Sequence, residues 1–398
     1  MSSSPLDRLT ALGSGLPPLP ERLLLAHARG EVLFVAGAGI SLPSGLPDFR
    51  SLVVQTYARL DRTAYAVIAS IPRGVSSQWD PDTTGLNDPQ KAEVRRFISN
   101  EYDVVLGMLE RRMDGNSAKS STVRQTISQI LRGYAARPAP IHRALMRLAD
   151  RGGMSAIVTT NFDLLLEDAC PPKSKVQTYT LGGIPRPGHS NEFTGVLHIH
   201  GALDRDPART SDLVISDQDF GEFYLRRRAT ADFIYDSARL FHLVLVGYSA
   251  NDPPMRYLLN AVAADGSRFH DLKECFTLVG FDAADSVTME DWKGHGITPI
   301  PYGSADNHSA LLRVLERWAS LSAINGKTSA IEAQVRRIVK VPRTASNDAD
   351  RDLFDHLFRR GRPSERNHLA AVASKANAGL GWLDAVAEVL SESNREGR

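Results

Sequence analysis

Short, wholly apolar runs alternate along this chain with segments of helical period. Val32–Val35, Ala156–Thr160, Val196–His200, Leu243–Gly247 and Cys275–Val279 are short, rich in β-branched residues, and each is followed by a loop or helix signal. A run without polar alternation reads as a strand covered on both faces, which is how strands of a parallel sheet look. Helical spacing marks 21–29, a helix from about 44, most of 51–135 (Tyr102, Val105, Leu106, Leu109), 139–151 (His142, Leu145, Leu148), 217–240 and 308–322. Residues 72–92, rich in Pro, Gly, Asp and Ser, interrupt the long helical stretch as an exposed loop. The alternation predicts an α/β fold with an open parallel sheet. Such sheets bind ligands at the carboxyl ends of their strands, and Gly37, Asn161, His200 and Gly247 each fall at or just past such an end.

The same pattern divides the chain. Residues 1–20, with their Ser, Gly and Pro, read as a flexible lead-in, and 21–327 as the α/β domain with a helical insertion at 51–135. Residues 328–398 read as a small helical region. Its amphipathic segments (Leu353, Leu357; Leu369, Val372; Leu380, Leu383, Val386, Leu390) are broken at Gly361-Arg-Pro and Gly379. Those apolar faces call for packing on the core or on another subunit.

Composition narrows the partners. A chain of 398 residues with 42% apolar and 23% charged residues has ample material for a large core. A net charge of +1 gives no global field toward nucleic acid or an anionic membrane, and Arg226-Arg227-Arg228 reads as a solvated helix face. Two cysteines, Cys170 and Cys275, make neither a disulfide framework nor a four-thiolate zinc site, and fit a reducing compartment. The N-terminus shows no signal-peptide pattern, and no apolar run approaches the ~18 residues of a membrane span. A cytoplasmic protein is the expectation.

The candidate chemistry sits at the strand ends. The first strand runs into Gly37, Gly39 and Gly45, where backbone N–H groups can approach an anionic ligand at a strand-to-helix turn. The usual dinucleotide fingerprint requires a third Gly where Leu42 stands, and it does not contain the Pro47-Asp48-Phe49-Arg50 that follows. This is a nucleotide loop of another kind. In Thr160-Asn161-Phe162-Asp163, Asn161 can hold a sugar hydroxyl or water without titrating, and Asp163 can accept from a carboxamide. Equally, either can cap the helix that follows. His198 and His200 share a strand face, but no third ligand of matching spacing supports a metal site. Burial is the plainer reading of either histidine, with His200, beside Gly201, the better placed to act as a general base near pH 7. Gly247-Tyr248-Ser249 offers donors to phosphate or ribose, with Asn251 or Asp252 as a plain helix cap instead.

Taken in order, these motifs resemble the sirtuin superfamily over about residues 30–280. Gly37-Ala38-Gly39-Ile40-Ser41 with Gly45–Arg50 is similar to that family's first motif, Pro140–Leu145 to its helix motif, Asn161-Phe162-Asp163 to its Asn-x-Asp, His200-Gly201 to its His-Gly and Gly247-Tyr248-Ser249 to its Gly-x-Ser. The resemblance implies a Rossmann-like fold and NAD as the ligand. By it, Gly37, Ala38, Gly39, Ser41, Gly247 and Ser249 line the NAD site and its phosphates. Phe49 and Arg50 lie by the nicotinamide ribose and the phosphates, with Asp48 also in the cofactor site, Asp163 holds the carboxamide, Asn161 and His200 are the catalytic pair, and His142 is structural or supports the pocket.

Protein-deacylating sirtuins carry a four-cysteine zinc ribbon after the His-Gly motif. Here 47 positions separate His200 from Gly247, they also hold the helical stretch 217–240, and the cysteines lie elsewhere. Ile215–Tyr224 and Gly247–Arg256 instead resemble bacterial sirtuin-like antiphage effectors. The expectation is an NAD hydrolase without zinc, releasing nicotinamide and ADP-ribose in abortive infection. It is further expected to form a homo-oligomer and to act with a defence partner such as a HerA-type ring ATPase or a short Argonaute. A protein deacylase or ADP-ribosyltransferase and a non-enzymatic nucleotide-sensing subunit are the alternatives.

Overall fold

The structure is a computed structural model that describes residues 8–76, 78–115, 121–152, 155–171, 176–188, 193–206, 212–248, 272–281 and 286–396. After a short antiparallel pair, β1 (Leu9–Ala11) and β2 (Pro18–Pro20), come seven strands: β3 (Val32–Ala36), β4 (Ala156–Thr159), β5 (Gln177–Tyr179), β6 (Gly195–His198), β7 (His242–Val246), β8 (Cys275–Phe281) and β9 (Ile297–Gly303). They lie in the order β5-β6-β4-β3-β7-β8-β9, with every pairing parallel. The sheet is open, parallel and Rossmann-like. From β3 the chain builds outward through β4 to one edge, then returns to the other side of β3 as β7. The strand order therefore reverses at β3, where such sheets open a crevice at their carboxyl ends.

Helix α1 (Glu21–Ala28) precedes β3. Five helices then form a layer of their own: α2 (Phe49–Leu60), α3 (Arg62–Ser70), α4 (Asp88–Ile98), α5 (Tyr102–Asp114) and α6 (Thr122–Gly133). They close on a separate apolar cluster that includes Val53, Tyr57, Ile68, Phe97, Leu106 and Ile127. Helix α7 (Pro140–Ala149) leads into β4 and α8 (Leu165–Asp168) follows it. Helix α9 (Asp217–Phe220), a π-helical turn at Gly221–Arg226 and α10 (Ala229–Leu240) precede β7. Then come α11 (Ser286–Gly294), α12 (Ala305–Leu321), α13 (Thr328–Ile338), α14 (Asp348–Arg359), α15 (Pro363–Lys375) and α16 (Leu380–Glu396).

Every residue of β3 is buried because the sheet is covered on both sides. Val32, Phe34 and Ala36 face a cluster with α1, α7 and α12, whereas Leu33 and Val35 face one with α10 and α11. Alternate side chains leave a strand on opposite faces, so a five-residue apolar run serves two cores at once.

Three features depart from the sequence expectations. The helix expected from about 44 begins at Phe49, after two 3-10 turns (Ala38–Ile40 and Leu42–Ser44). Gly45, at φ +86°, ends the second turn, and Asp48 caps α2 by accepting from Ser51 N–H at 2.8 Å. Strands β5 and β9 carry no strand signal that stands out. β9 contains Pro299 and Pro301, which it tolerates because it is an edge strand with one unpaired side. Residues 9–20 are not a loose lead-in: the β1–β2 pair carries Leu12 and Leu19 into the main core, 1% and 0% exposed. The C-terminal helices contribute Leu353, Phe354, Leu357 and Trp382 to that same core, one of the two placements their apolar faces call for. Buried Glu21 of α1 holds them electrostatically, accepting from Arg359 at 2.8 Å and contacting His356 at 3.2 Å.

Candidate functional site

The end of β3 crosses the end of β7 at close range. Gly37 N–H donates to Val246 O and Gly39 N–H to Gly247 O, both at 2.9 Å. A Cβ on Gly37 would lie 2.7 Å from Gly247 O, and one on Gly39 2.9 Å from Gly247 Cα. Gly247, at φ +77°, would itself place a Cβ 2.8 Å from Ile40 N. The three glycines therefore let two strand-end turns interlock, and the N–H groups of Gly37 and Gly39 are spent on that crossing. Ala38 stands exposed on top of it. Ser249 lies outside the described residues. Tyr248 completes the floor. Its hydroxyl donates to Ala36 O at 3.1 Å and pairs with Thr160 Oγ1 at 3.0 Å.

Ser41 is the hub beside this crossing. Asn161 Nδ2 donates to Ser41 Oγ at 3.0 Å and to Gly37 O at 3.2 Å, and Ser41 Oγ–H donates to Asp163 Oδ2 at 2.9 Å. His142 Nδ1 accepts from Ala139 N–H at 3.1 Å, so its Nε2 bears the hydrogen and approaches Ser41 Oγ at 3.5 Å. A carbonyl only accepts, so Gly37 O dictates which end of the Asn161 amide faces it. The opposite atom, Asn161 Oδ1, is buried and has no hydrogen-bond partner among the described residues. Asp163 does two jobs. Oδ2 takes the Ser41 hydroxyl and Oδ1 accepts from Leu165 N–H at 3.1 Å, which caps α8. Burial raises its carboxyl above the usual range, against the opposing hydrogen bonds from Leu165 and Ser41.

The segments after β4 and β6 run together. Ile199 N–H donates to Thr159 O and Leu203 N–H to Phe162 O. His198 is structural: it is fully buried between Asn161 O (2.7 Å) and Glu167 Oε1 (3.0 Å). Burial pulls its imidazole down, but Glu167 outweighs that and the net shift is upward. His200 is different. Its Nε2 lies 2.7 Å from Tyr224 Oη, and its ring packs edge-on against Phe220 and Tyr224, with centroids 5.4 and 5.8 Å away. Burial pulls its imidazole down to about 3, so the near-neutral value expected from the sequence does not hold in this dry setting. Tyr224 was not expected as a site residue, because its position depends on the π-helical turn and on contacts with a distant strand end.

The contacts of Asp48, Phe49 and Arg50 lead into the helical layer instead. Asp48 pairs with Arg73 at 2.6 Å, Phe49 packs edge-on against Tyr102, and Arg50 donates to Ile71 O at 2.5 Å with its guanidinium 5.0 Å from the Phe97 centroid. The structure thus links Gly37, Ser41, Asn161, Asp163 and His142 by direct hydrogen bonds. His200 stands on the adjoining strand end. Among the described residues no group of three or more His, Cys, Asp or Glu side chains could hold a metal ion.

Buried neutral histidines give the fold a pH dependence. Burial lowers His27 and His142 to about 4. Above about pH 6.5 both are neutral, folded or unfolded, and their contribution is fully present. As pH falls from 6.5 to about 4, the unfolded chain takes up protons that the folded chain refuses, so stability is lost. A shift of that size corresponds to roughly 3 kcal/mol per group. Thermal melts are expected to show a falling Tm between pH 6.5 and 4.5 and little change from 6.5 to 7.5; a flat profile would exclude this account.

A family model described as the SIR2-like domain matches residues 155–300. An uncharacterized protein of Sinorhizobium fredii, y4cA, is 31% identical over 374 residues, which is 89% of this chain. The chain spans 28% of that relative's length. Similar solved structures include one described as the structural basis for the mechanism and regulation of Sir2 enzymes (15% identity, 75% of this chain and 98% of that chain, TM-score 0.36). Another is a Sir2 homolog–NAD complex (15% identity, 77% and 98%, TM-score 0.35). Residues 155–300, which contain Asn161, His200 and Gly247, therefore match a SIR2-like domain.

Proposed function

We propose that this chain binds NAD at the crossing of β3 and β7 and hydrolyses its nicotinamide–ribose bond. The observation that carries the reading is Asn161 Oδ1, a buried acceptor with no partner among the described residues. An unsatisfied buried polar group costs on the order of 1–3 kcal/mol and calls for an explanation. A water molecule or a ribose hydroxyl donating to Oδ1 supplies one, and the Gly37 and Ser41 contacts already hold the amide in the receiving orientation.

NAD supplies a ribose C1′ carrying a cationic leaving group, so the protein has little covalent work to do. Asn161 orients a water oxygen toward C1′. The new C–O bond forms as the C1′–N bond breaks, and nicotinamide leaves with the bonding pair. The water loses a proton, which His200 accepts and returns to solvent. A low basicity suffices there, because the water becomes strongly acidic as it bonds to C1′, and a neutral imidazole has its lone pair free. Asp163, rim to Ser41 and α8, is placed to accept from the carboxamide through its remaining lone pairs. Holding the reactants in line supplies most of the rate, as positioning does generally.

In the cell this activity fits an antiphage effector that depletes NAD, held off until a partner protein or self-assembly releases it. The test is an NAD-consumption assay on the purified chain, alone and with the products of neighbouring genes, with products resolved by chromatography. Nicotinamide with ADP-ribose is the expected result. O-acetyl-ADP-ribose from an acetylated peptide would reassign the site to deacylation, and binding of NAD without turnover in every combination would make it a sensor.

A further inference from the structure

We infer that Tyr224 is a positioning residue for His200, holding its imidazole as the Nε2–H tautomer so that Nδ1 is the basic nitrogen. This rests on the hydrolase reading above for its catalytic meaning, but its structural content is independent of it.

Only one ring nitrogen of His200 has a described partner. Nε2 lies 2.7 Å from Tyr224 Oη, a short and fully formed hydrogen bond. Nδ1 makes no hydrogen bond to any described residue and is not among the wholly buried, unpartnered atoms. It is the nitrogen left to a ligand. Burial keeps the ring neutral, so it carries one hydrogen and one lone pair. If Nδ1 is to take a proton from water, the hydrogen must sit on Nε2, and Tyr224 Oη must accept it. The second nitrogen of a working histidine sets which tautomer is present.

The backbone is shaped for this contact. Gly221–Arg226 is a π-helical turn, a rare form found frequently at functional sites. Phe220 and Tyr224 flank the same imidazole, both edge-on or nearly so, which clamps the ring plane. Tyr224 is itself buried, 9% exposed, so the hydroxyl is not there for solubility. Its partner His200 stands two positions past the end of β6 and 24 residues away in sequence. In the proton step, the water O–H bond breaks, Nδ1 gains that proton, and Nε2–H···Oη is unchanged except that it shortens as the ring becomes cationic.

The test uses the full chain labelled with 15N-histidine, with His200 assigned by comparison with His200→Gln. Long-range proton–nitrogen spectra are expected to show a pyridine-type Nδ1 and a pyrrole-type Nε2 for His200. Tyr224→Phe keeps both ring contacts and removes only the oxygen. It is expected to give a mixture of the two tautomers and a kcat for NAD cleavage lowered about tenfold, with KM within twofold, in protein that melts cooperatively. A pyridine-type Nε2 in the parent chain, or a Tyr224→Phe variant with an unmixed Nε2–H tautomer, would overturn the inference. So would a kcat within twofold of the parent. If the parent cleaves no NAD, the function above fails while the tautomer spectra still decide the role of Tyr224.

Discussion

Replacing Asn161 with alanine is expected to lower NAD cleavage by about a hundredfold or more, mostly in kcat, while leaving the protein folded. The side chain keeps one buried oxygen without a partner among the described residues and spends both amide hydrogens on Gly37 O and Ser41 Oγ. Losing a single preorganised polar group at a reacting centre typically costs about 3 kcal/mol, a little over a hundredfold. The structural cost is smaller. Ser41 keeps its bond to Asp163, and Gly37 O loses one hydrogen bond worth about 1 kcal/mol net. His200→Ala is expected to fall in the same range, since it removes the proton acceptor but leaves the Asn161 network on the neighbouring strand end intact. The check is initial-rate NAD consumption together with circular dichroism melts. Retention of near-parental rates in both variants would remove the two residues from the chemistry.

The largest expected loss of stability comes from Arg124→Leu. Arg124 lies on α6, 5% exposed, and joins α5 to the segment 213–219, about 90 positions further along the chain. It donates to Glu110 at 2.8 and 3.0 Å, to both oxygens of Asp219 at 2.8 and 2.9 Å, and to Leu213 O. Asp219 Oδ2 in turn accepts from Ile215 N–H, Ser216 N–H and the Ser216 hydroxyl, which closes the cap of α9. Leucine would fill most of the volume but strand two carboxylates in a dry site. Removing one partner of a buried charge cluster costs about 3–5 kcal/mol, far more than the cluster contributes against a well-packed apolar replacement. At about 2–4 °C per kcal/mol, Tm should fall by roughly 6–20 °C. Adding Asp219→Asn should recover part of that loss, because one of the two stranded charges is then gone, and a double-mutant cycle would measure the coupling. A Tm within 2 °C or so of the parent for Arg124→Leu would show that the cluster contributes little. Phe220 and Tyr224 follow directly from α9, so the same variant should also loosen the clamp on His200.

By itself the sequence determined five of the seven sheet strands and the order of the motifs along the chain. Val32–Val35, Ala156–Thr160, Val196–His200, Leu243–Gly247 and Cys275–Val279 correspond to β3, β4, β6, β7 and β8 because periodicity and β-branching are local properties. For the same reason Gly37, Asn161, His200 and Gly247 could be placed at strand ends. Weak edge strands escaped, since β5 is three residues long and β9 contains two prolines. The burial of Leu12, Leu19 and Trp382 in one core also escaped, because local composition does not reveal which distant surface will cover a segment.

Tertiary structure alone decided what each site residue does. Gly37 and Gly39 are required because Gly247, more than 200 positions away, passes within van der Waals reach. Asp163 accepts from Ser41 across the crossing and also from Leu165 N–H at the start of α8, so the capping reading holds beside a long-range bond the sequence does not reveal. His198 is locked between Asn161 O and Glu167, while His200, two residues on along the same strand direction, meets Tyr224 instead. Two histidines of identical local chemistry thus acquire opposite characters, one drawn up by a carboxylate and one pushed down by a dry aromatic pocket. The physical reason is that residue type sets what a side chain can do, whereas burial and partners, assembled from strands far apart in sequence, set which of those things it does.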